Sequence, residues 1–188
     1  MNLFVITKIF LLVSCVILTK AQREYVYTLN TTFKIDVFIP YYSQFTMVSK
    51  QDLTTLENGD VAVSNTSFII FNLTNGILSS NTDGANFYLK NQTGLEFPSY
   101  VLKRGKTQSS SDVSLFRASP EGTWSGRFVG PNITMADQPG ADNLWVACKN
   151  PSGIYVIGWD PDSTHQPPKE CVNYPKYNPG VLLHVNYT

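Results

Sequence analysis

Two histidines, His165 and His184, limit the acid–base chemistry that this chain could carry out. A Ser-His-Asp hydrolase needs a histidine held between a nucleophile and a carboxylate. Asp160 and Asp162 precede His165, but in a proline-bounded loop their spacing orients no side chain in particular. Segment 122–126 (GTWSG) has its serine one position too late for the G-x-S-x-G nucleophile elbow. The sequence therefore does not favour a serine hydrolase.

The acidic residues offer no pair that a motif selects for cleavage of a glycosidic bond, which requires two carboxylates flanking that bond. Glu57, Glu96 and Glu121 are scattered along the chain. Segment 160–165 (DPDSTH) contains oxygen and nitrogen donors, but it lacks the ligand spacing of an EF-hand loop. We predict no catalytic residue, no metal and no cofactor, and we keep a glycan hydrolase as the least favoured alternative.

Aromatic side chains are the other chemical resource of the chain, which contains 10 Tyr, 11 Phe and 3 Trp. Ring faces can stack on sugars, but in a β-rich protein most aromatic residues fill the core. These residues leave open a second function, a carbohydrate-binding module that uses exposed aromatic rings. The candidate contacts lie in or near the proline-rich segment 161–179: Tyr155, Trp159, Tyr174 and Tyr177.

The first 21 residues have the pattern of a secretory signal peptide. Lys8 precedes a ten-residue apolar run, 9–18 (IFLLVSCVIL), and Thr19 and Ala21 supply small residues before a cleavage site. This run is shorter than the roughly 20 apolar residues of a membrane-spanning helix, and no later segment is apolar enough to span. We expect residues 22–188 to form a single β-rich domain that is secreted and has no membrane span.

The charge balance excludes one class of partner. The chain has 14 basic and 14 acidic side chains, and loss of the leader would remove two of the lysines. The remaining chain would be slightly acidic and would have no basic patch. Because binding to nucleic acid depends on neutralising phosphates, we expect no nucleic-acid partner.

Cys148 and Cys171 are the two cysteines that remain after the leader, which contains Cys15. An exported protein passes through an oxidising compartment, in which such a pair normally closes to a disulfide. The alternative is a pair of free thiols at a metal or catalytic site, but the chain has no C-x-x-C arrangement and no nearby histidine pair. We predict a disulfide that closes segment 143–171 into two short strands and a loop.

The chain contains more acceptor triplets for N-glycosylation than its composition predicts. With 15 asparagines and 33 serines and threonines in 188 residues, chance would give roughly 2.6 triplets of the form N-x-[ST]. In an exported chain we expect four or more of those present to be modified, although composition bias is the alternative explanation. Six triplets occur after the leader, at Asn30, Asn65, Asn72, Asn91, Asn132 and Asn186.

Short β-rich runs separated by turn residues organise the chain, and no long 3.6-residue apolar period occurs. Every second residue of segment 33–39 (FKIDVFI) is apolar, which predicts a half-buried strand. Segment 67–73 (SFIIFNL), followed by Asn75-Gly76, is the strongest hairpin signal because Asn-Gly accepts the positive φ angles of a type I′ turn. About a dozen such strands predict an all-β sandwich or barrel of short antiparallel strands, with a β-trefoil as the alternative.

Four short motifs follow one another near the end of the chain: 144–148 (LWVAC), 154–157 (IYVI), Cys171 and 181–185 (VLLHV). In this order they resemble the C-terminal part of small secreted fungal proteins, namely phialide-associated cell-wall proteins and secreted antigens described as IgE-binding. The resemblance extends over about the last two thirds of the chain, but extra cysteines common in those proteins are absent. It implies a β-rich secreted or wall-associated glycoprotein and transfers no catalytic residue.

Composition, motifs and resemblance together favour a secreted, N-glycosylated protein with a non-enzymatic structural or interaction role. We expect it in the extracellular space, with the cell wall as one location. The expected partners are wall polysaccharides or other wall proteins.

Overall fold

β-Strands are the only regular secondary structure in the described part of the chain. The computed structural model describes residues 25–38, 50–92, 97–119, 122–124, 127–129, 131–136, 145–161, 168–172 and 181–188. The predicted leader, 1–21, lies outside these ranges. The described residues form strands β1 (Phe33–Phe38), β2 (Asp52–Thr55), β3 (Val61–Ser64), β4 (Phe71–Thr74), β5 (Ile77–Ser80), β6 (Phe87–Asn91), β7 (Tyr100–Arg104), β8 (Phe116–Ala118), β9 (Gly122–Trp124), β10 (Arg127–Val129), β11 (Asn132–Met135), β12 (Trp145–Lys149), β13 (Tyr155–Trp159), β14 (Cys171–Val172) and β15 (Leu182–Tyr187).

Thirteen of these strands belong to one antiparallel sheet. Its main path runs β14-β12-β13-β3-β2-β1-β15-β11-β8, while β4 joins β1 to β5, and β7 joins β13 to β6. Strands β9 and β10 form a separate hairpin. The sheet does not close on itself, which confirms the predicted all-β class and agrees with the sandwich rather than the barrel. No helix within the described ranges is long and apolar enough to cross a membrane.

Strand β1 shows why this sequence forms a two-faced sheet. Phe33, Ile35 and Val37 are fully buried, whereas the residues between them are only partly buried. This is the predicted two-residue period, since successive side chains of a strand point to opposite faces. Strand β1 pairs with β15 over its whole length, from Phe33 opposite Tyr187 to Phe38 opposite Leu182. We call the face of the sheet on which the Phe33 side chain lies the inner face, and the opposite face the outer face.

The predicted hairpin at Asn75-Gly76 is confirmed. Asn75 has φ 51° and Gly76 has φ 80°, as a type I′ turn requires, and β4 pairs with β5 from Thr74 opposite Ile77 onward. The turn is held by its neighbours, because the Gly76 amide donates to the Tyr27 carbonyl at 2.7 Å. A Cβ atom on Gly76 would lie 3.3 Å from Leu115 Cδ2, so glycine is also favoured here by space.

The strand expected over 67–73 is shorter than predicted and begins only at Phe71. The Ser64 hydroxyl accepts hydrogen bonds from the amides of Thr66 and Ser67, at 3.2 and 3.1 Å, and so forms a local turn. Side-chain acceptors of this kind compete with the pairing of strands. Phe68 accordingly lies outside any strand and is 52% exposed.

Aromatic rings fill the space behind the inner face. The rings of Phe33 and Phe71 stack with centroids 6.1 Å apart, and the Phe87 ring lies 5.0 Å from that of Phe71. Trp145 is fully buried, and its indole Nε1 donates to the Ile133 carbonyl at 2.8 Å. Strands β12 and β11 are not neighbours in the sheet, so this hydrogen bond joins two distant parts of the sheet directly through the core.

Candidate functional site

Cys148 and Cys171 form the predicted disulfide, with an S–S distance of 2.04 Å. The two residues are opposite each other where β12 pairs with β14. Strand β12 pairs on its other side with β13, from Trp145 opposite Trp159 to Lys149 opposite Tyr155. The cross-link therefore fastens a short segment to the outside of a hairpin, and it leaves neither sulfur as a free thiol for nucleophilic or metal chemistry.

The aromatic residues selected for carbohydrate contact do not form a platform among the described residues. Trp159 is 2% exposed and belongs to the core, so its ring is not the exposed contact that we expected. The two-residue period explains this, because Trp159 shares the inner face with the fully buried Ile157. Tyr155, on the same face, is half-buried and packs against the core. Tyr174 and Tyr177 lie outside the described residues.

The carboxylate of the 160–165 segment that the structure describes has a structural role. Asp160 is 5% exposed, and its Oδ2 accepts a hydrogen bond from the Ser99 amide at 3.3 Å. Asp162, Ser163 and His165 lie outside the described residues. Within the described ranges, no group of three or more His, Cys, Asp or Glu side chains is arranged to hold a metal ion.

The six acceptor asparagines divide by exposure. Asn30, Asn65 and Asn186 are exposed, whereas Asn72, Asn91 and Asn132 are half-buried. The structure also shows what restrains two of the half-buried side chains. The Asn72 amide Nδ2 donates to Asn81 Oδ1 at 3.0 Å, and the Asn132 Oδ1 atom is buried without a hydrogen-bond partner.

A row of polar side chains crosses five adjacent strands on the outer face. His184 of β15 is opposite Asn132 of β11 on one side and opposite Asp36 of β1 on the other. Asp36 is in turn opposite Asp52 of β2, which is opposite Ser64 of β3. Residues directly opposite each other in antiparallel strands point to the same face. We call this set the polar row: Asn132, His184, Asp36, Asp52 and Ser64.

The centre of the polar row is a hydrogen-bonded pair. His184 Nδ1 lies 2.8 Å from Asp36 Oδ1, and the side chains are 26% and 14% exposed. A carboxylate oxygen is the acceptor in such a pair, so Nδ1 is the donor of this hydrogen bond. A histidine hydrogen-bonded to an aspartate in this way corresponds to two of the three members of a Ser-His-Asp triad. However, within the part of the chain that the structure describes, no hydroxyl or thiol group hydrogen-bonds to the ring as a nucleophile would.

An aromatic ring and a lysine flank the polar row. Lys34 Nζ lies 4.0 Å from Asp52 Oδ2 and 3.4 Å from the centroid of the Phe68 ring, in a cation–π contact. Lys34 covers one side of that ring, yet Phe68 remains the second most exposed of the large hydrophobic residues described. The row therefore offers carboxylate, amide and imidazole groups beside one accessible ring face.

Neither the His184–Asp36 pair nor the exposure of Phe68 was predicted from the sequence. The alternation of segment 33–39 does place Asp36 on the polar face of its strand, whereas segment 181–185 (VLLHV) does not alternate. The residues are 148 positions apart, however, and their pairing depends on which strands become neighbours. Phe68 was assigned to a strand because the run SFIIFNL is continuously apolar from Phe68 to Phe71.

Comparisons of this chain with protein-family models, with curated proteins and with solved structures found no match. Function is therefore inferred from the disulfide, the acceptor asparagines and the polar row.

Proposed function

We propose that this protein is a secreted, N-glycosylated domain with a structural or interaction role in the extracellular space or cell wall, and that it is not an enzyme. The observation that carries the proposal is the disulfide between Cys148 and Cys171. Structural disulfides persist in oxidising compartments and are rare in the cytosol. The leader pattern of residues 1–21 supports the same route.

The exposure of Asn30, Asn65 and Asn186 supports modification of these three positions. A glycan is bulky and hydrated, so an asparagine that carries one needs a path to solvent. Asn30 and Asn65 precede or follow strands, and Asn186 lies near the end of β15. Glycans at these positions could be accommodated without displacing the core.

A non-catalytic role is supported by the chemistry of the polar row. The His184 ring is oriented by Asp36, but a hydrolase of the serine or cysteine type also needs a nucleophile within hydrogen-bond reach. Asp36 and Asp52 are directly opposite each other rather than on two sides of a cleft, which does not suit the flanking carboxylates of a glycosidase.

Expression of the full chain in a eukaryotic host tests the proposed route. We expect the protein in the medium, with no thiol that reacts under denaturing conditions, and with a mass that falls by three or more glycans after enzymatic deglycosylation. Asn65→Gln should remove one glycan unit, whereas Asn86→Gln, at an exposed asparagine outside any acceptor triplet, should remove none. Protein retained in the cell with two free thiols and an unchanged mass would contradict the proposal.

The proposed absence of catalysis has a separate test. Purified protein incubated with wall polysaccharides should release no more reducing sugar than buffer does. Turnover that is retained through purification and lost on changing a single aspartate or glutamate would show that the protein is a hydrolase.

A further inference from the structure

We propose that the polar row is a binding site for an extended, uncharged or weakly basic polysaccharide of β-linked hexose units, which lies across the strands beside Phe68. This inference rests on the proposed extracellular role and names the class of molecule with which the protein interacts. It differs from the expected site near the proline-rich segment, because it uses the outer face of β11, β15, β1, β2 and β3.

The first argument is the dimension of the row. Neighbouring strands lie about 4.8 Å apart, so five strands carry the polar side chains across about 19 Å. The spacing between successive polar groups is close to the repeat of a β-linked hexose chain. An extended saccharide lying perpendicular to the strands would therefore place each sugar near one side chain of the row.

The second argument is hydrogen-bonding chemistry. Sugar hydroxyls both donate and accept, and the row supplies both functions: Asp36 and Asp52 accept, and the Asn132 amide nitrogen donates. The Asn132 Oδ1 atom is buried and has no hydrogen-bond partner. Because this oxygen is buried, a saccharide lying on the row contacts the two carboxylates and the amide nitrogen rather than this atom.

The third argument is the Phe68 ring. Apolar sugar faces pack on aromatic rings, and binding sites for small molecules combine such surfaces with a few placed polar groups. Lys34 holds the ring from one side at 3.4 Å, and the side chain remains 52% exposed. The ring is therefore both held in position and accessible.

The charge of the polar row distinguishes between the classes of molecule that could bind to it. Two carboxylates face one lysine and one imidazole, so the row does not attract the phosphates of nucleic acids or the carboxylates of uronic-acid polymers. A protein–protein interface normally has an apolar, desolvated centre. The centre of this row is instead the hydrogen-bonded pair of His184 and Asp36. An uncharged or weakly basic polysaccharide fits these properties.

Binding of the secreted, glycosylated protein to β-1,3-glucan, cellulose, chitin and a uronic-acid polymer tests the proposal. Measurements are depletion from solution by the insoluble polymers and retardation in gels that contain soluble ones. We expect binding to at least one of the first three polymers, and their comparison identifies the linkage and sugar. Binding to the uronic-acid polymer alone, or to none of these four polymers, would overturn the proposal.

Variants locate the site. Phe68→Ala and Asp52→Asn should each weaken binding about tenfold, roughly the effect of one aromatic contact or one charge-assisted hydrogen bond, with unchanged thermal unfolding. Tyr187→Ala is the matched control, because this ring is 53% exposed but belongs to the inner-face side of β15. Equal binding by wild type, Phe68→Ala and Asp52→Asn would exclude the polar row as the site.

Deglycosylation tests whether the protein surface or the attached glycans bind the polysaccharide. Asn132 lies in the row, and Asn186 lies beside it, opposite Lys34. Deglycosylated protein should bind as well as the glycosylated form or better. Loss of binding on deglycosylation would show that the glycans hold the polysaccharide and would overturn the inference. None of these results changes whether the protein is secreted, so the two proposals can fail separately.

Discussion

His184 Nδ1 and Asp36 Oδ1 lie 2.8 Å apart although 148 residues separate them in the chain. The Asp36 side chain is 14% exposed, so removal of its carboxylate leaves the imidazole without its acceptor in a partly desolvated position. We expect Asp36→Ala to lower the free energy of unfolding by about 1–3 kcal/mol, the usual cost of leaving a buried donor or acceptor without its partner. Urea denaturation followed by tryptophan fluorescence measures the change.

Asp52→Ala is the control for that variant. Asp52 is directly opposite Asp36, but its side chain is 33% exposed and its contact with Lys34 is 4.0 Å long. Exposed pairs of this kind contribute about 0–1 kcal/mol, and removal of a like charge beside Asp36 acts in the opposite direction. We expect the free energy of unfolding of this variant to lie within about 0.5 kcal/mol of the wild-type value. An equal loss of unfolding free energy in both variants would show that the hydrogen bond between His184 and Asp36 contributes no more stability than the exposed pair of Lys34 and Asp52.

Gly158 is required by the close approach of β7 to β13. A Cβ atom at this position would overlap the Pro98 ring and lie 2.8 Å from the Tyr100 carbonyl oxygen. Because a backbone carbonyl cannot move aside, Gly158→Ala should cost about 3 kcal/mol of unfolding free energy, at the upper end for overpacking. Thermal and urea unfolding measure the loss.

Gly84→Ala separates the effect of crowding from that of backbone conformation. Gly84 has φ +70°, and nothing lies within 4 Å of its would-be Cβ atom. The variant should lose only the preference of glycine for the left-handed region, about 1 kcal/mol. A loss as large as that of Gly158→Ala would show that the contact with Pro98 and Tyr100 is not the cause.

The disulfide should contribute measurable stability. Cys148 and Cys171 close a loop with a sequence separation of 23, for which the chain-entropy treatment gives about 3 kcal/mol. We expect replacement of both cysteines by serine to lower the free energy of unfolding by that amount. Reduction of the wild-type protein should have the same effect, and reductant should leave the double variant unchanged. If the double variant is as stable as wild type, the disulfide does not contribute to the free energy of unfolding, and strand pairing alone stabilises this segment.

The buried phenol of Tyr88 leads us to expect a loss of stability at alkaline pH. Its side chain is 3% exposed, and burial, followed by the nearby Asp112 carboxylate, raises the pKa of its hydroxyl above the ordinary 10.0. The folded state therefore retains a proton that the unfolded chain releases. The stabilising effect is complete below pH 10.0 and is lost as the pH rises through the higher pKa of the folded state.

Urea unfolding at a series of pH values between about 8 and 11 tests this effect. Above pH 10.0, stability should fall less steeply in Tyr88→Phe than in wild type. Tyr27→Phe serves as the control, since the Tyr27 side chain is 46% exposed. Identical slopes for Tyr88→Phe and wild type would show that the phenol is not the group responsible.

Local patterns predicted the parts of this fold that depend on neighbours in the chain. The alternation in segment 33–39 and the Asn75-Gly76 turn each specify a backbone conformation within a few residues, and both are present. Strand β2, with sequence DLTT, carries one apolar residue and was not predicted. Such a strand forms because β1 and β3 pair with it, which is tertiary context rather than propensity.

The candidate site was less accessible to prediction than the fold. Trp159 was selected as an exposed ring although its period-two relation to Ile157 indicates the inner face. The polar row, in contrast, has no local signal, because it exists only when five strands from different parts of the chain adopt one register. A shift of one residue in any of these pairings would turn the polar residues on one side of that pairing to the other face and break the row.

The central position of β15 has a consequence for how the protein is made. Strand β15 lies between β1 and β11, and Phe33 is opposite Tyr187. During synthesis, β1 and β11 leave the ribosome before the strand that separates them exists. Each then presents an unpaired edge that other chains can occupy. Completion of this sheet therefore waits for residues 182–187, and contacts so distant in sequence predict slow folding and a need for protection until then.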